Sequence, residues 1–274
     1  MKLTAKELLD LIRKNQLNGQ TIELNDGEPL VFDDFDSDKS YSLNHSTIVL
    51  HNQENDCSIR VRNCKNLAIS DGTFSIKQGA CAIEIEESAE DILLYNLTIS
   101  GKTNHGVLIK GKNTSIFDCE IEDFECGICV LSSDVTIRRT NIKNVECGVY
   151  TVEGKGELSA CMSVVHNFMV AECQIEAQKS GICLKGVSNG VILLNSVSGI
   201  CTISKCCNIY VCENTISDIL QLEENQYIIV NQNQIKKVID VHNQNKNGDN
   251  VTDISARELR GVKKELLPHI NSEQ

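Results

Sequence analysis

The chain has no tryptophan, only two prolines and 4% aromatic residues in 274 positions. So few rings exclude an ordinary globular core of this length, where large aromatic side chains supply much of the buried area. A narrow interior of stacked Ile, Val and Leu is the alternative. Pro29 and Pro268 lie near the two ends. The centre therefore keeps its backbone N–H groups for strand ladders, which proline would interrupt. No segment reaches about 18 uninterrupted apolar residues, so no membrane span is expected. The N-terminal MKLTAKELLDLIRKNQLNGQ lacks the apolar run of about 7–15 residues and the small-residue site of an export signal. The expected location is the cytoplasm, with the fourteen cysteines reduced and mostly acting as small apolar fillers. Net charge is −12, which excludes duplex nucleic acid as a partner, because that binding needs Lys and Arg against phosphate. A polyanionic sugar is disfavoured too, unless a basic patch or a bridging cation intervenes.

What is abundant is repetition. An apolar column runs Ile99, Ile121, Ile142, Ile175, Val197, Ile216 and Ile235, at steps of 22, 21, 33, 22, 19 and 19 residues. A second column advances beside it: Ile59, Ile83, Val107, Ile128, Val149, Ile182, Cys201, Leu220 and Ile239. Two columns moving together mean that one turn of chain is laid down again and again. A period near 20 built from short alternating segments implies an all-β solenoid rather than a helical repeat.

Three regions follow. Residues 1–20 form a capping helix: Thr4 and Glu7 have capping-box spacing, and Leu8, Leu11 and Ile12 share one helical face. Residues 21–245 form the solenoid, and 246–274 a capping tail in which Ile254, Leu259, Val262 and Leu266 can close the far end. All three belong to one structural unit.

The corner two residues before the first column carries Leu97, Cys119, Thr140 and Cys173, then Asn195, Asn214 and Asn233. Asparagine tolerates a sharp corner, and its amide can bond to the asparagine of the next coil. This pattern resembles the asparagine ladder of right-handed parallel β-helices, the pectate-lyase-like superfamily. The resemblance implies about nine to ten coils, and a cleft on one sheet face that holds an extended sugar chain. The tail resembles those of bacterial β-helix proteins of unassigned activity.

Strand alternation places the residue after each second-column member on the outside. That row holds Arg60, Glu84, Leu108, Cys129, Tyr150 and Cys183, and two positions on come Arg62, Glu86, Lys110 and Lys185. Glu84 and Glu86 are one candidate catalytic pair. Their spacing along a strand, ~6.6 Å, is near that of the two carboxylates of an inverting glycoside hydrolase. The alternative is a charge ladder with Arg60 and Arg62. Tyr150 is the second catalytic candidate, with Lys110 and Lys185 as substrate-binding cations. Beside it lies the one long interval, whose excess 153–166 includes Glu153, Lys155, Glu157 and His166. A β-elimination lyase needs a base and cations on a carboxylate, and these residue types supply both. His166 is the remaining catalytic candidate, and Glu153 and Lys155 join the binding set.

No metal site or cofactor is expected. The histidines show no HxH or HExxH spacing, and Cys126-Gly-Ile-Cys129 opens a strand rather than a helix. The acidic loop 33–38 is the one candidate for Ca²⁺. The chain is thus expected to be glycan-active, a lyase or hydrolase, or else a non-catalytic carbohydrate- or protein-binding module. The Leu108/Cys129/Tyr150/Cys183 face would serve a protein partner. A purely structural solenoid would show apolar outer faces over many coils, which the pattern does not suggest.

Overall fold

A computed structural model describes residues 1–24, 26–51, 56–151, 165–241 and 251–252. It is an all-β parallel solenoid of about ten turns with one helix near its N-terminus. Each regular coil lays a segment into each of three sheets. The first sheet holds Cys57–Val61, Cys81–Ile85, His105–Ile109 and Cys126–Val130, then the second halves of longer strands such as Asn141–Thr151 and Gln174–Lys185. The second holds Lys112–Phe117, Val135–Arg138, Val165–Ala171, Val187–Leu193, Cys207–Cys212 and Gln226–Asn231. The third contains Glu120–Glu122 and the first halves of those longer strands.

Both apolar columns are real ladders. Ile99, Ile121, Ile142, Ile175, Val197, Ile216 and Ile235 pair in register through the third sheet. Ile59, Ile83, Val107, Ile128, Val149 and Ile182 pair likewise through the first. Nearly all are fully buried, and each contributes about 1.5–3 kcal/mol. The last coil departs from expectation. Leu220 pairs with Val238, not Ile239, and Asp240 pairs with Leu222, because a bulge between Ile216 and Ile219 adds one residue to the earlier strand.

The asparagine ladder is present, with one correction at the corner. The left-handed residues are those just before it, Glu172, Leu194, Glu213 and Gln232, with φ of 55°, 56°, 54° and 53°. The asparagines themselves turn inward. Asn214 Oδ1 accepts from the Asn195 N–H and Nδ2 at 2.9 Å each, and Asn233 Oδ1 accepts from the Asn214 N–H at 2.8 Å. A second inward asparagine, Asn225, accepts from the Cys206 N–H at 2.9 Å.

The cap is built as its sequence implies. In the helix Ala5–Arg13 the Glu7 N–H donates to Thr4 Oγ1, the Thr4 N–H donates to Glu7 Oε2, and Leu8 and Ile12 are buried. Arg13 then reaches the acidic loop, donating to both oxygens of fully buried Asp36 at 2.8 and 2.7 Å, and the Tyr41 hydroxyl adds a third bond at 2.9 Å. Asp36, the buried carboxylate of the acidic loop, is thus held by arginine. Of the tail, only Val251–Thr252 is described, pairing with Ile229 and Val230 in the second sheet.

An apolar outer face does exist, on the second sheet. Ala171, Val191, Leu193 and Cys212 form a buried cluster separate from the core, with Met169 and Tyr210 packed against it.

Candidate functional site

The outward row of the first sheet runs Arg60, Glu84, Leu108, Cys129, Tyr150, Cys183, Thr202 and Gln221, paired coil to coil. At its N-terminal end Glu84, 8% exposed, is clamped by cations. Lys110 Nζ donates to Glu84 Oε1 at 2.6 Å, Arg60 Nε lies 3.9 Å from Oε2, and Arg60 also pairs with Asp56. Burial by itself would raise the Glu84 pKa. The bonds from Lys110 and the Cys57 thiol, with the charges of Lys110 and Arg60, outweigh it and hold the carboxyl below its ordinary value. A general acid needs the opposite shift. Glu84 is thus one rung of a charge ladder with Arg60 and Lys110. Glu86 is half-buried and Arg62 exposed on the flanking row.

Tyr150 lies further along the same row. Burial, then its hydrogen bond with the Cys129 sulfur, pushes its pKa well up. Its ring lies 6.2 Å from that of His105, two coils back. His166 is elsewhere. It sits in the second sheet beside Ser188, exposed, with Nδ1 2.5 Å from Ser188 Oγ. Lys185 is half-buried at the end of its strand, where its N–H donates to Thr151 Oγ1 at 2.7 Å. Glu153, Lys155 and Glu157 lie outside the described residues. The structure thus joins Arg60, Glu84 and Lys110, and leaves Tyr150 and His166 apart.

A cleft of about 500 Å³ opens at the corner leading into the first sheet. Its polar walls are Lys102, Asn104, Asp123, Glu125, Asn144, Glu146 and Gln178, with Phe124 and Thr103 behind. Asp123 and Asn144 both take the left-handed conformation, with φ of 67° and 54°, and Asn144 Nδ2 donates to Asp123 Oδ1 at 3.2 Å. Glu146 pairs with Lys179. None of these lining residues was singled out from the sequence. The available signal was a pair of polar columns, Lys102/Asp123/Asn144 and Asn104/Glu125/Glu146, each stepping by 21 residues.

Immediately after the second of those columns comes a ladder of soft donors. Cys57, Cys81, His105, Cys126 and Cys147 are register partners in consecutive coils. His105 Nδ1 is buried without a hydrogen-bond partner, and burial lowers the His105 pKa, which keeps the ring neutral. Among the described residues no helix is long and apolar enough to cross a membrane, and no three of His, Cys, Asp or Glu converge as a metal site.

No curated protein matches the chain. Among solved structures it is similar to the DFA-IIIase of Arthrobacter chlorophenolicus A6, as mutant C387A in complex with DFA-III. There the TM-score is 0.53 at 11% identity, covering 82% of this chain and 59% of that one. It is similar too to the tailspike protein of E. coli bacteriophage HK620, as mutant D339N in complex with a pentasaccharide. That TM-score is 0.51 at 12% identity, covering 82% of this chain and 50% of that one. The chain spans half to three-fifths of those proteins, and at such identity the likeness shows the fold alone. Two family models match: the right-handed β-helix region over 105–257, and the periplasmic copper-binding protein NosD over 10–167. The second overturns the cytoplasmic expectation, since that family is described as periplasmic. On its ladder register and on these two matches, the chain belongs to the right-handed β-helix family and to the NosD family.

Proposed function

We propose that the chain binds a neutral glycan in the cleft beside the first sheet. One observation carries this reading: the cleft walls stack amides and carboxylates, Asn104, Asn144, Gln178, Asp123, Glu125 and Glu146, in polar columns. Side-chain amides and carboxylates offer paired donors and acceptors that suit vicinal hydroxyls, and coils ~4.8 Å apart repeat them along the groove. Three carboxylates against Lys102 disfavour a uronate chain, which also counts against the lyase reading. Two solved proteins of this fold carry DFA-III and a pentasaccharide in their structures. The states of Glu84 and Tyr150 favour binding over catalysis at the first-sheet face.

The test is a panel of neutral and acidic oligosaccharides, scored for binding, for new reducing ends and for the absorbance of unsaturated uronates. Binding of neutral members, lost in Glu125→Gln and Asn144→Ala, supports the proposal. Catalysis that Glu84→Gln or Tyr150→Phe abolishes would restore the enzyme reading and refute this one.

A second reading starts from the copper in the family description. Soft thiolate and imidazole donors suit monovalent copper. The column Cys57, Cys81, His105, Cys126 and Cys147, with its unpartnered His105 Nδ1, is such a donor set. It fits a low-coordinate monovalent ion. It does not fit Zn²⁺ or divalent copper, for which three or more converging ligands are wanted and none converge among the described residues.

A further inference from the structure

We infer that the segment 255–267 docks as a helix along the outer face of the second sheet, where it is the partner of the apolar cluster. This face is not the one beside the glycan cleft, and the inference does not rest on the glycan reading.

Met169, Val191, Tyr210 and Ile229 are register partners in consecutive coils, and Ala171, Leu193 and Cys212 form the next row. Both rows alternate with Val170, Ile192, Val211 and Val230 of the interior, so they stand on the outside of the sheet. Ala171, Val191, Leu193 and Cys212 are nevertheless only 2–8% exposed, in an apolar cluster separate from the core. The face crosses four coils, ~14 Å from first to last. It ends at Thr136 and Arg138, the polar register partners of Met169 and Ala171.

The occupant follows from where the chain goes next. Val251 and Thr252 pair with Ile229 and Val230, so residue 253 leaves from this sheet, beside the last apolar coil. The sequence after it carries helix signals. Ser255 and Glu258 have capping-box spacing, Ile254 and Leu259 occupy the two positions of a hydrophobic staple, and Pro268 is a stop. A helix over 256–267 is ~18 Å long, against ~19 Å from the coil of Val251 back to that of Met169. Ala256, Leu259, Val262, Leu266 and Leu267 share one stripe, flanked by Arg260 and Lys264 on one side and by Glu258 and Glu265 on the other. Helix and solenoid are both right-handed. A helix running back over the earlier coils, stripe against the sheet, therefore turns Arg260 and Lys264 to the strand ends and the two glutamates to the strand starts. Glu213 and Glu172 follow the strand ends, the latter also paired with Arg138, and Lys205 precedes a strand start. Both flanks meet opposite charge, and the reverse direction would set like charges together.

The experiment uses Cys212, 2% exposed within the cluster, as its reporter. The reduced full-length chain is alkylated briefly, and the modified peptides are mapped by mass. Cys212 should be protected in the native chain. Its alkylation should speed up at least ~10-fold when Leu259→Asp and Leu266→Asp are combined, because release of the covering segment sets that rate. Cys173, 2% exposed in the main core, should stay protected in both chains, and the circular dichroism should not change. A zero-length carbodiimide should couple Lys264 to Glu213 in the native chain and not in the variant. Rapid alkylation of Cys212 in the native chain, or equal protection in the variant, overturns the inference. So does protection that falls on dilution, which marks a second copy on this face. Coupling of Lys264 to carboxylates of the last coil alone places the segment over the open end of the solenoid, and overturns it as well.

Discussion

Replacing Asn214 by Ala removes the middle of the inward ladder. Its Oδ1 accepts from the Asn195 N–H and Nδ2, and its Nδ2 lies 2.9 Å from each of the Ile192 and Cys212 carbonyls and Asn233 Oδ1. Asn214 is 1% exposed, so water cannot take these places. An orphaned buried N–H costs about 1–3 kcal/mol and each further lost bond about 1 kcal/mol, giving a total of about 3–5 kcal/mol. Asn233→Ala is the comparison. That residue is half-buried at the ladder's end, solvent can replace its bonds, and the expected cost is about 1–2 kcal/mol. Urea unfolding followed by far-ultraviolet circular dichroism measures both. The transition has to be two-state for the comparison, which coincidence with tyrosine fluorescence establishes. Equal costs for the two variants, or less than about 1 kcal/mol for Asn214→Ala, would show that the ladder follows from the stacked coils rather than holding them.

Three other outcomes follow from the same contacts. Lys110→Met leaves Glu84 without its closest cation. Because the folded Glu84 pKa is depressed, its contribution is present above the unfolded value of about 4.3 and is lost as pH falls through the folded one, so the gap between wild type and variant should narrow in acid. A gap between their urea midpoints that is the same at neutral and acidic pH refutes this. His105, buried and neutral, binds its proton more weakly folded than unfolded; stability should therefore fall as pH drops below about 6.5, and His105→Gln should flatten that limb in a melting-temperature series. In Gly148→Ala the new Cβ would lie 2.4 Å from both the Gly181 carbonyl oxygen and Ile175 Cγ2. Overpacking of that kind costs about 1–3 kcal/mol, and an unchanged urea midpoint would show that the coils can separate to admit it.

Periodicity made the fold legible because a solenoid repeats its local environment. Ile99 and Ile121 meet the same neighbours in successive coils, so a one-dimensional pattern contains the stacking. The corner was legible at Asn195, Asn214 and Asn233 for the same reason. At Leu194 it was not, since neighbouring coils hold a leucine in the left-handed conformation that its own preference disfavours. The final coil escaped prediction through one bulge, which the spacing of Val238 and Ile239 does not reveal.

Sequence alone determined the two inward columns, the capping helix and the outward row, because each depends only on alternation and spacing along the strand. Tertiary structure decided the chemistry of that row. The charge partner of Glu84 is Lys110, 26 residues away, and the Tyr150 hydroxyl is shifted by burial and then by Cys129, a coil back. The cleft walls and the column from Cys57 to Cys147 likewise come together only when coils stack. Protonation and ligand reach are set by what lies one coil rise away, and that neighbour is distant in sequence.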